Sequence, residues 1–307
     1  MINQLFRANQ NFSFIIPVRN PFDEKVSDYR VIETLLRKTI DSLTKQQGVK
    51  SNVIVVCHQV PSWSMAFGEQ VTFLDVSKSS VFPPNTNPVR VDKGLKYAIG
   101  ALYSKKTFDP GLIMLMDADD YVNCNLAQSL IGFNPFSFKL DGYLITKGIH
   151  VALEVNKDYS VNYIESYLVK DFDKTCGSCR VFRSNSLLEK LRYIDADIEK
   201  YFSDWPQRKN DGSVEVTEKS ILWLSEKTKS SYMNEDNIVN ILGRHINQNR
   251  YLKLKPISMV GAAKGCGHGN HDGPKQGNMH KDKILEEYPI EKFSALFGIK
   301  EKDYSSK

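Results

Sequence analysis

Two apolar rhythms alternate along the first 130 residues. Phe12–Val18, Asn52–Cys57, Val71–Val76 and Leu112–Met116 are short apolar runs of strand length. Between the first two, Val31, Ile32, Leu35, Leu36, Ile40 and Leu43 recur at helical spacing until Gly48 stops the run. Before the fourth, Leu95, Ala98, Ile99 and Leu102 mark the buried face of a second helix, with Asp92 as its expected cap. Strand–helix–strand order of this kind predicts an α/β fold on a parallel, doubly wound sheet.

The rhythm changes after residue 140. Tyr143–Thr146, Ile149–Val155 and Tyr163–Val169 read as strands with no helix between them, which predicts antiparallel pairing beside the parallel sheet. Ser186–Ile194 reads as a short helix, and 203–217, which contains Trp205, as a polar, turn-rich loop. A helix is expected from Asn234, with Ile238, Val239, Leu242 and Ile246 on one face. Residues 261–280, rich in Gly, Lys and His, read as a long loop without a core of its own, the kind that serves as a lid. The last 25 residues read as helical through Ile284, Leu285, Phe293, Leu296 and Phe297.

The fourth apolar run ends on three carboxylates, Asp117, Asp119 and Asp120. Buried parallel strands deliver ligand-binding residues at their carboxyl ends. Acids crowded there repel one another unless a cation or a proton relieves them. Hard oxygen donors suit Mg²⁺ or Mn²⁺, and Mg²⁺ commonly completes its shell with substrate phosphates. The segment therefore predicts a metal–diphosphate site. The plainer alternative makes Asp119 and Asp120 turn-forming and capping residues.

Composition narrows the field. The 307 residues are 41% hydrophobic, enough for a real core, and 41 basic against 36 acidic residues leave a net charge of only +5. No aromatic-interleaved basic stripe suggests a nucleic-acid partner. Five scattered cysteines suit a reduced, cytoplasmic protein better than a disulfide scaffold. The N-terminal residues lack a signal-peptide core and no apolar stretch approaches the roughly 20 residues that span a bilayer. Membrane work, if any, is expected to be peripheral, at the inner face.

Three segments, in order, carry a resemblance. Ser-Phe-Ile-Ile-Pro-Val-Arg-Asn (13–20) resembles the opening strand of GT-A-fold glycosyltransferases of the family 2 type. Met-Asp-Ala-Asp-Asp-Tyr-Val (116–122) resembles their aspartate–any–aspartate motif, and Met-Asn-Glu-Asp-Asn (233–237) their later Glu-Asp pair at a helix start. Residues 90–100 are similar to the helix before the metal motif, and Gly177–Arg183 to the strand that closes the sugar pocket. The chain departs from that family in placing Cys57, His58 and Gln59 where an acid often follows the second strand. It also places Arg19 where an aromatic residue is usual.

The resemblance implies a mostly parallel GT-A sheet with a smaller antiparallel acceptor-side region. Residues 1–135 would bind the nucleotide sugar, 136–260 would bind the acceptor, and 261–307 would form a lid and C-terminal helices. It implies transfer of a hexosyl or N-acetylhexosaminyl group from a nucleotide-diphosphate sugar, UDP-sugars favoured. The acceptor would be a glycan or lipid-linked glycan of a bacterial surface polysaccharide. Asp119 would bind Mn²⁺ or Mg²⁺ directly and Asp117 would contact ribose or metal. His268 and His271 would be candidate further ligands. Asp236 would be the general base of an inverting reaction, with Glu235 beside it. Pro17, Val18, Arg19, Arg90, Lys93, Gly177 and Ser178 would line the donor site.

Competing expectations attach to the same residues. Acids in a helix's first turn, such as Glu235 and Asp236, also complement the helix dipole without catalytic work. Cys176, Cys179, Cys266 and His268 have the composition of a structural zinc site, although the second half lacks paired spacing. A sugar-phosphate nucleotidyltransferase would share sheet and aspartates, but residues 17–24 contain no glycine for a phosphate loop. A non-catalytic nucleotide-sugar-binding module of the same fold is the reading from outside enzymology.

Overall fold

The computed structural model describes residues 11–23, 26–77, 88–132, 140–192, 209–220, 252–268 and 281–299. Among these, eleven strands form one mixed sheet. They are β1 (Phe12–Pro17), β2 (Ser51–Cys57), β3 (Val71–Asp75), β4 (Leu112–Leu115), β5 (Asp120–Val122), β6 (Gly142–Val155), β7 (Val161–Lys170), β8 (Arg180–Arg183), β9 (Ser213–Glu215), β10 (Leu254–Cys266) and β11 (Ile284–Glu287). The helices are α1 (Tyr29–Leu43), α2 (Pro88–Phe108), α3 (Leu126–Gly132), α4 (Ser184–Arg192) and α5 (Ile290–Phe297).

The sheet has two halves. Strands β4, β1, β2, β3 and β9 lie side by side and parallel. From β4 outward the direction reverses, with β8 antiparallel to β4, β6 to β8, β7 to β6 and β11 to β7. Strand β10 runs parallel to β6 and also pairs antiparallel with the short β5. The expected parallel sheet with an antiparallel region beside it is therefore what the chain forms.

Alternation along the parallel strands decides which helix covers which face. Phe12, Phe14 and Ile16 of β1 and Val53, Val55 and Cys57 of β2 pack with Ile32, Leu36, Ile40 and Leu43 of α1. Ile15, Ile54 and Val56 face the other way, against Leu95, Ala98, Ile99 and Leu102 of α2. Both faces are covered, which is why these strands read as unbroken apolar runs. A third cluster joins Tyr121, Ile149, Val151 and Leu153 to Phe293 and Phe297 of α5.

Several expectations need correction. Helix α2 starts at Pro88, so Asp92 lies inside it and pairs with Lys96 one turn on instead of capping the helix. The two strands expected over 143–155 are one 14-residue strand. Residues 261–266 are not loop but the end of β10, with Ala262 and Ala263 fully buried. Residues 284–287 form an edge strand rather than helix, and α5 begins only at Ile290. The helix expected from Asn234 and the first part of the expected 203–217 loop, with Trp205, lie outside the described residues, whereas Ser213–Glu215 within that loop form β9 against β3. Among the described residues, no helix is long and apolar enough to cross a membrane.

Candidate active site

Strand β4 ends at Leu115, with the Met116 amide still bonded to the Ile15 carbonyl at 2.9 Å. The chain then turns through Asp117–Asp120, and the Asp120 amide points back to the Asp117 carbonyl at 3.5 Å. This turn stands where the parallel half of the sheet meets the antiparallel half, at the carboxyl end of the parallel strands. Its backbone is pinned from two directions. Ser178 Oγ accepts from the Asp117 amide at 2.7 Å, and Thr39 Oγ1 of α1 donates to the Ala118 carbonyl at 3.0 Å.

The three aspartates have separate fates. Asp117 is 27% exposed, and its Oδ1 meets the Lys93 ammonium and the Tyr97 hydroxyl, the latter at 3.2 Å. Asp119 is 25% exposed, with Oδ2 2.8 Å from Nε2 of the buried His268. Asp120 is 2% exposed and points into the sheet, where it accepts from the Gly265 amide at 3.3 Å and the Cys176 thiol at 3.2 Å. Two acids therefore face outward with cationic or protonatable partners, and one is sealed beneath them.

Electrostatics follow from that layering. Burial first, then the charges of Asp119 and Asp117, push Asp120 up to about 8, against the pull of Ser178 and Cys176. Burial alone would lower the Lys93 ammonium. Asp117 beside it, with Asp119 and Asp120 behind, outweighs burial and holds Lys93 above the ordinary lysine value. Burial and then Asp117 raise the Tyr97 phenol well above its usual range. The three acids thus act on one another and on the ammonium paired with Asp117.

Two glycines let other segments approach the turn. A Cβ on Gly177 would stand 2.6 Å from Asp117 Oδ2, and one on Gly265 2.5 Å from the Asp119 carbonyl oxygen. The Cys176–Cys179 segment thereby closes over the turn from one side and β10 from the other. Ser178 was expected to approach a donor sugar; it is fully buried and braces the aspartate turn. Cys176, Cys179 and Cys266 are buried thiols, with Cys179 and Cys266 turned toward the backbone carbonyls of Cys176 and Lys264. Among the described residues no three His, Cys, Asp or Glu side chains converge on a point that would hold a metal. The zinc alternative has no assembled ligand set there.

The remaining expected residues divide. Pro17 closes β1, and the Val18 carbonyl accepts from the buried Lys96 ammonium at 2.6 Å. Arg19 is held by Asp23 at 2.9 Å. His58, where an acid was awaited, is buried, and burial with the nearby Lys96 charge depresses it to about 3, so its ring is neutral. Arg90 lies in α2, but its side chain is outside the described set, as are Glu235, Asp236 and His271. Tyr97 and Gly265 escaped sequence reasoning, and Cys176 entered it only as a zinc candidate, not as a partner of Asp120. Tyr97 was legible as lying one turn after Lys93 on the same helical face, whereas the other two meet the turn only through sheet pairing.

The outer acids suit a hard divalent cation. Mg²⁺ in particular is usually held by one or two carboxylates together with substrate phosphates, so a third protein ligand is not a requirement. Asp117 and Asp119 are the carboxylates that could hold such an ion, and His268 beside Asp119 carries a borderline nitrogen of the kind Mn²⁺ accepts.

No family model matches the chain, and no curated protein matches it. Solved structures that resemble it include S. aureus TarS 1-349 in complex with UDP, at 14% identity and a TM-score of 0.39. That match covers 85% of this chain, which spans 62% of the TarS 1-349 chain. Galactosyltransferase LgtC in complex with donor and acceptor sugar analogs matches at 10% identity, covering 94% of this chain and 95% of that one, with a TM-score of 0.34.

Proposed function

We propose that this protein is a metal-dependent glycosyltransferase that takes its sugar from a nucleotide-diphosphate donor, UDP-sugars favoured. It passes the sugar to a glycan or lipid-linked glycan acceptor, with inversion, in surface polysaccharide synthesis. The observation that supports the reading is the Asp117–Asp119 turn at the tip of β4, with both outer carboxylates partly exposed and Lys93 and His268 seated on them. Two partly exposed acids held by a lysine and a histidine, above a third that is buried and raised to about 8, form the kind of perturbed cluster that functional sites carry.

Asp117 and Asp119 would hold Mn²⁺ or Mg²⁺, with His268 beside Asp119 as the further candidate ligand, and the bound ion would neutralise the charge of a leaving diphosphate. The chain's own groups supply orientation and proton handling. Lys93 pairs with Asp117 and would meet a phosphate oxygen as a point charge. Tyr97, with its phenol held protonated, fixes the Asp117 carboxylate by donating to it. Ser178 and Thr39 keep the turn from relaxing toward solvent. Asp236 would take the acceptor hydroxyl proton as that oxygen attacks the anomeric carbon.

The test is donor hydrolysis. The protein is incubated with uridine, guanosine and cytidine diphosphate sugars and Mn²⁺, and released nucleotide is measured. Asp119→Ala should abolish metal-dependent nucleotide binding. Asp236→Asn should keep binding and lose transfer. Binding without turnover on every donor and acceptor would favour the non-catalytic module, and transfer at near wild-type rate in Asp236→Asn would remove the base assignment.

A further inference from the structure

At the opposite end of the parallel strands from Asp117 lies a cavity of about 460 Å³. Its lining comes from the start of β2 (Lys50, Asn52), the approach to β3 (Gln70, Thr72) and the end of α2 (Tyr103, Phe108). The strand starts face it, whereas the aspartate turn sits at the strand ends.

The wall between cavity and core is polar where it should be apolar. Asn52 shares a strand face with Ile54 and Val56, both fully buried against α2, and is itself only 3% exposed. Its amide nitrogen has no hydrogen-bond partner. Ser13, the register partner of Asn52 on β1, is fully buried, and its hydroxyl is also unpartnered. So is that of Ser104 on α2. Ser104 belongs with them by geometry. Gly100 sits on Ile15, and the Phe108 carbonyl accepts from Asn11. Ser104, midway on that helical face, therefore falls over Ser13. Of the three, Asn52 lines the cavity while Ser13 and Ser104 lie behind it, and the unpaired Asn52 amide is costly unless a ligand with an acceptor meets it.

We infer that this cavity is a carbohydrate-binding site, taking one or two neutral sugar units, separate from the aspartate turn. The chemistry selects that class. Amide and hydroxyl groups of Asn52 and Thr72 suit a ligand carrying both donors and acceptors. Tyr103 and Phe108, edge-to-face with centroids 6.1 Å apart, provide the apolar surface on which a sugar ring's C–H face rests. The exposed rim carries one cation, Lys50, and one anion, Glu69, which together favour neither sign of ligand charge. The volume lies within the range of small-molecule sites. The inference does not depend on the transferase reading.

Saturation-transfer NMR with glucose, galactose, N-acetylglucosamine and maltose, without nucleotide or metal, tests it. The wild type and Asp119→Ala should both show transfer to at least one of these sugars. Thr107→Trp, an exposed rim position whose new ring would fill the mouth, should lose the signal while nucleotide release from the donor stays unchanged. Asn52→Leu, which removes the unpaired amide at similar volume, should lose it too; if that variant does not fold, Thr107→Trp decides. No transfer to any sugar in the wild type would mean that the cavity holds water only. Transfer unchanged in Thr107→Trp, or abolished by Asp119→Ala, would place the sugar elsewhere. Any of these results overturns the inference.

Discussion

The His268 imidazole Nε2 lies 2.8 Å from Asp119 Oδ2, joining residues 149 positions apart. The contact exists because Gly265 lets β10 pass against the Asp119 carbonyl and deliver the following residues over the turn. If both groups face a cation, His268→Ala should raise the Mn²⁺ concentration for half-maximal nucleotide release by about 10- to 100-fold. Excess Mn²⁺ should restore much of the rate. A metal titration reads this directly, and an unchanged midpoint would leave His268 as a brace for Asp119.

A divalent cation bound as proposed would compete with Lys93 for the Asp117 carboxylate. Lys93→Met should therefore tighten the binding of Mn²⁺ alone, because Asp117 loses its resident cation. The same change should weaken binding of a nucleoside diphosphate by about 10-fold or more, since a hydrogen bond to a charged group contributes roughly 1.5–3 kcal/mol. Calorimetry with metal alone and then with UDP separates the two effects. Movement of both affinities in the same direction would show that Lys93 serves only the fold.

Gly177 presses on Asp117 from above, and a methyl group there would overlap Oδ2 at 2.6 Å. Gly177→Ala must displace either the carboxylate or the Cys176–Cys179 segment. Overpacking of this kind costs about 1–3 kcal/mol, so the variant should fold with a lowered Tm. Displacing the carboxylate by about 1 Å should reduce turnover by roughly 100-fold. Thermal melting and steady-state rates, measured together, test whether catalysis falls further than stability does.

The sequence carried the parallel half of the sheet plainly. There each strand is buried on both faces, so Phe12–Pro17, Ser51–Cys57 and Leu112–Leu115 appear as apolar runs. The same patterning placed Asp117 and Asp119 at a strand end. It did not carry β10. Along Leu254–Cys266 the strand has a partly exposed first half and two register shifts, and its buried second half is Gly, Ala and Lys rather than large apolar residues. Small residues are required where β10 crosses the turn, and small residues read as loop. Cys176 and Asp120 were likewise illegible as partners, because only sheet pairing brings positions 56 apart into contact. Asp92 misled for a local reason: it has the chemistry of a cap, but its nearest partner is Lys96 one turn further along.

The buried Asp120 gives the fold a pH dependence of definite sign. Burial, reinforced by Asp119 and Asp117, raises it to about 8, far above the value of roughly 3.9 for an unfolded chain. Between those limits the folded protein holds a proton that the unfolded chain has released. Stability therefore falls as pH rises from about 4 to about 8 and levels off above that. Asp120→Asn keeps an oxygen to accept from the Gly265 amide but cannot ionise, so the decline should largely disappear. Near pH 8 the variant should be more stable than the wild type by a few kcal/mol, on the order of what such a shift implies after relaxation of the site. Urea midpoints at pH 5, 6, 7 and 8, taken in chelator so that no cation neutralises Asp119, give the comparison. Parallel curves for the two proteins would mean that the proton is carried by another group, and the layered arrangement of one sealed acid beneath two open ones would lose its electrostatic basis.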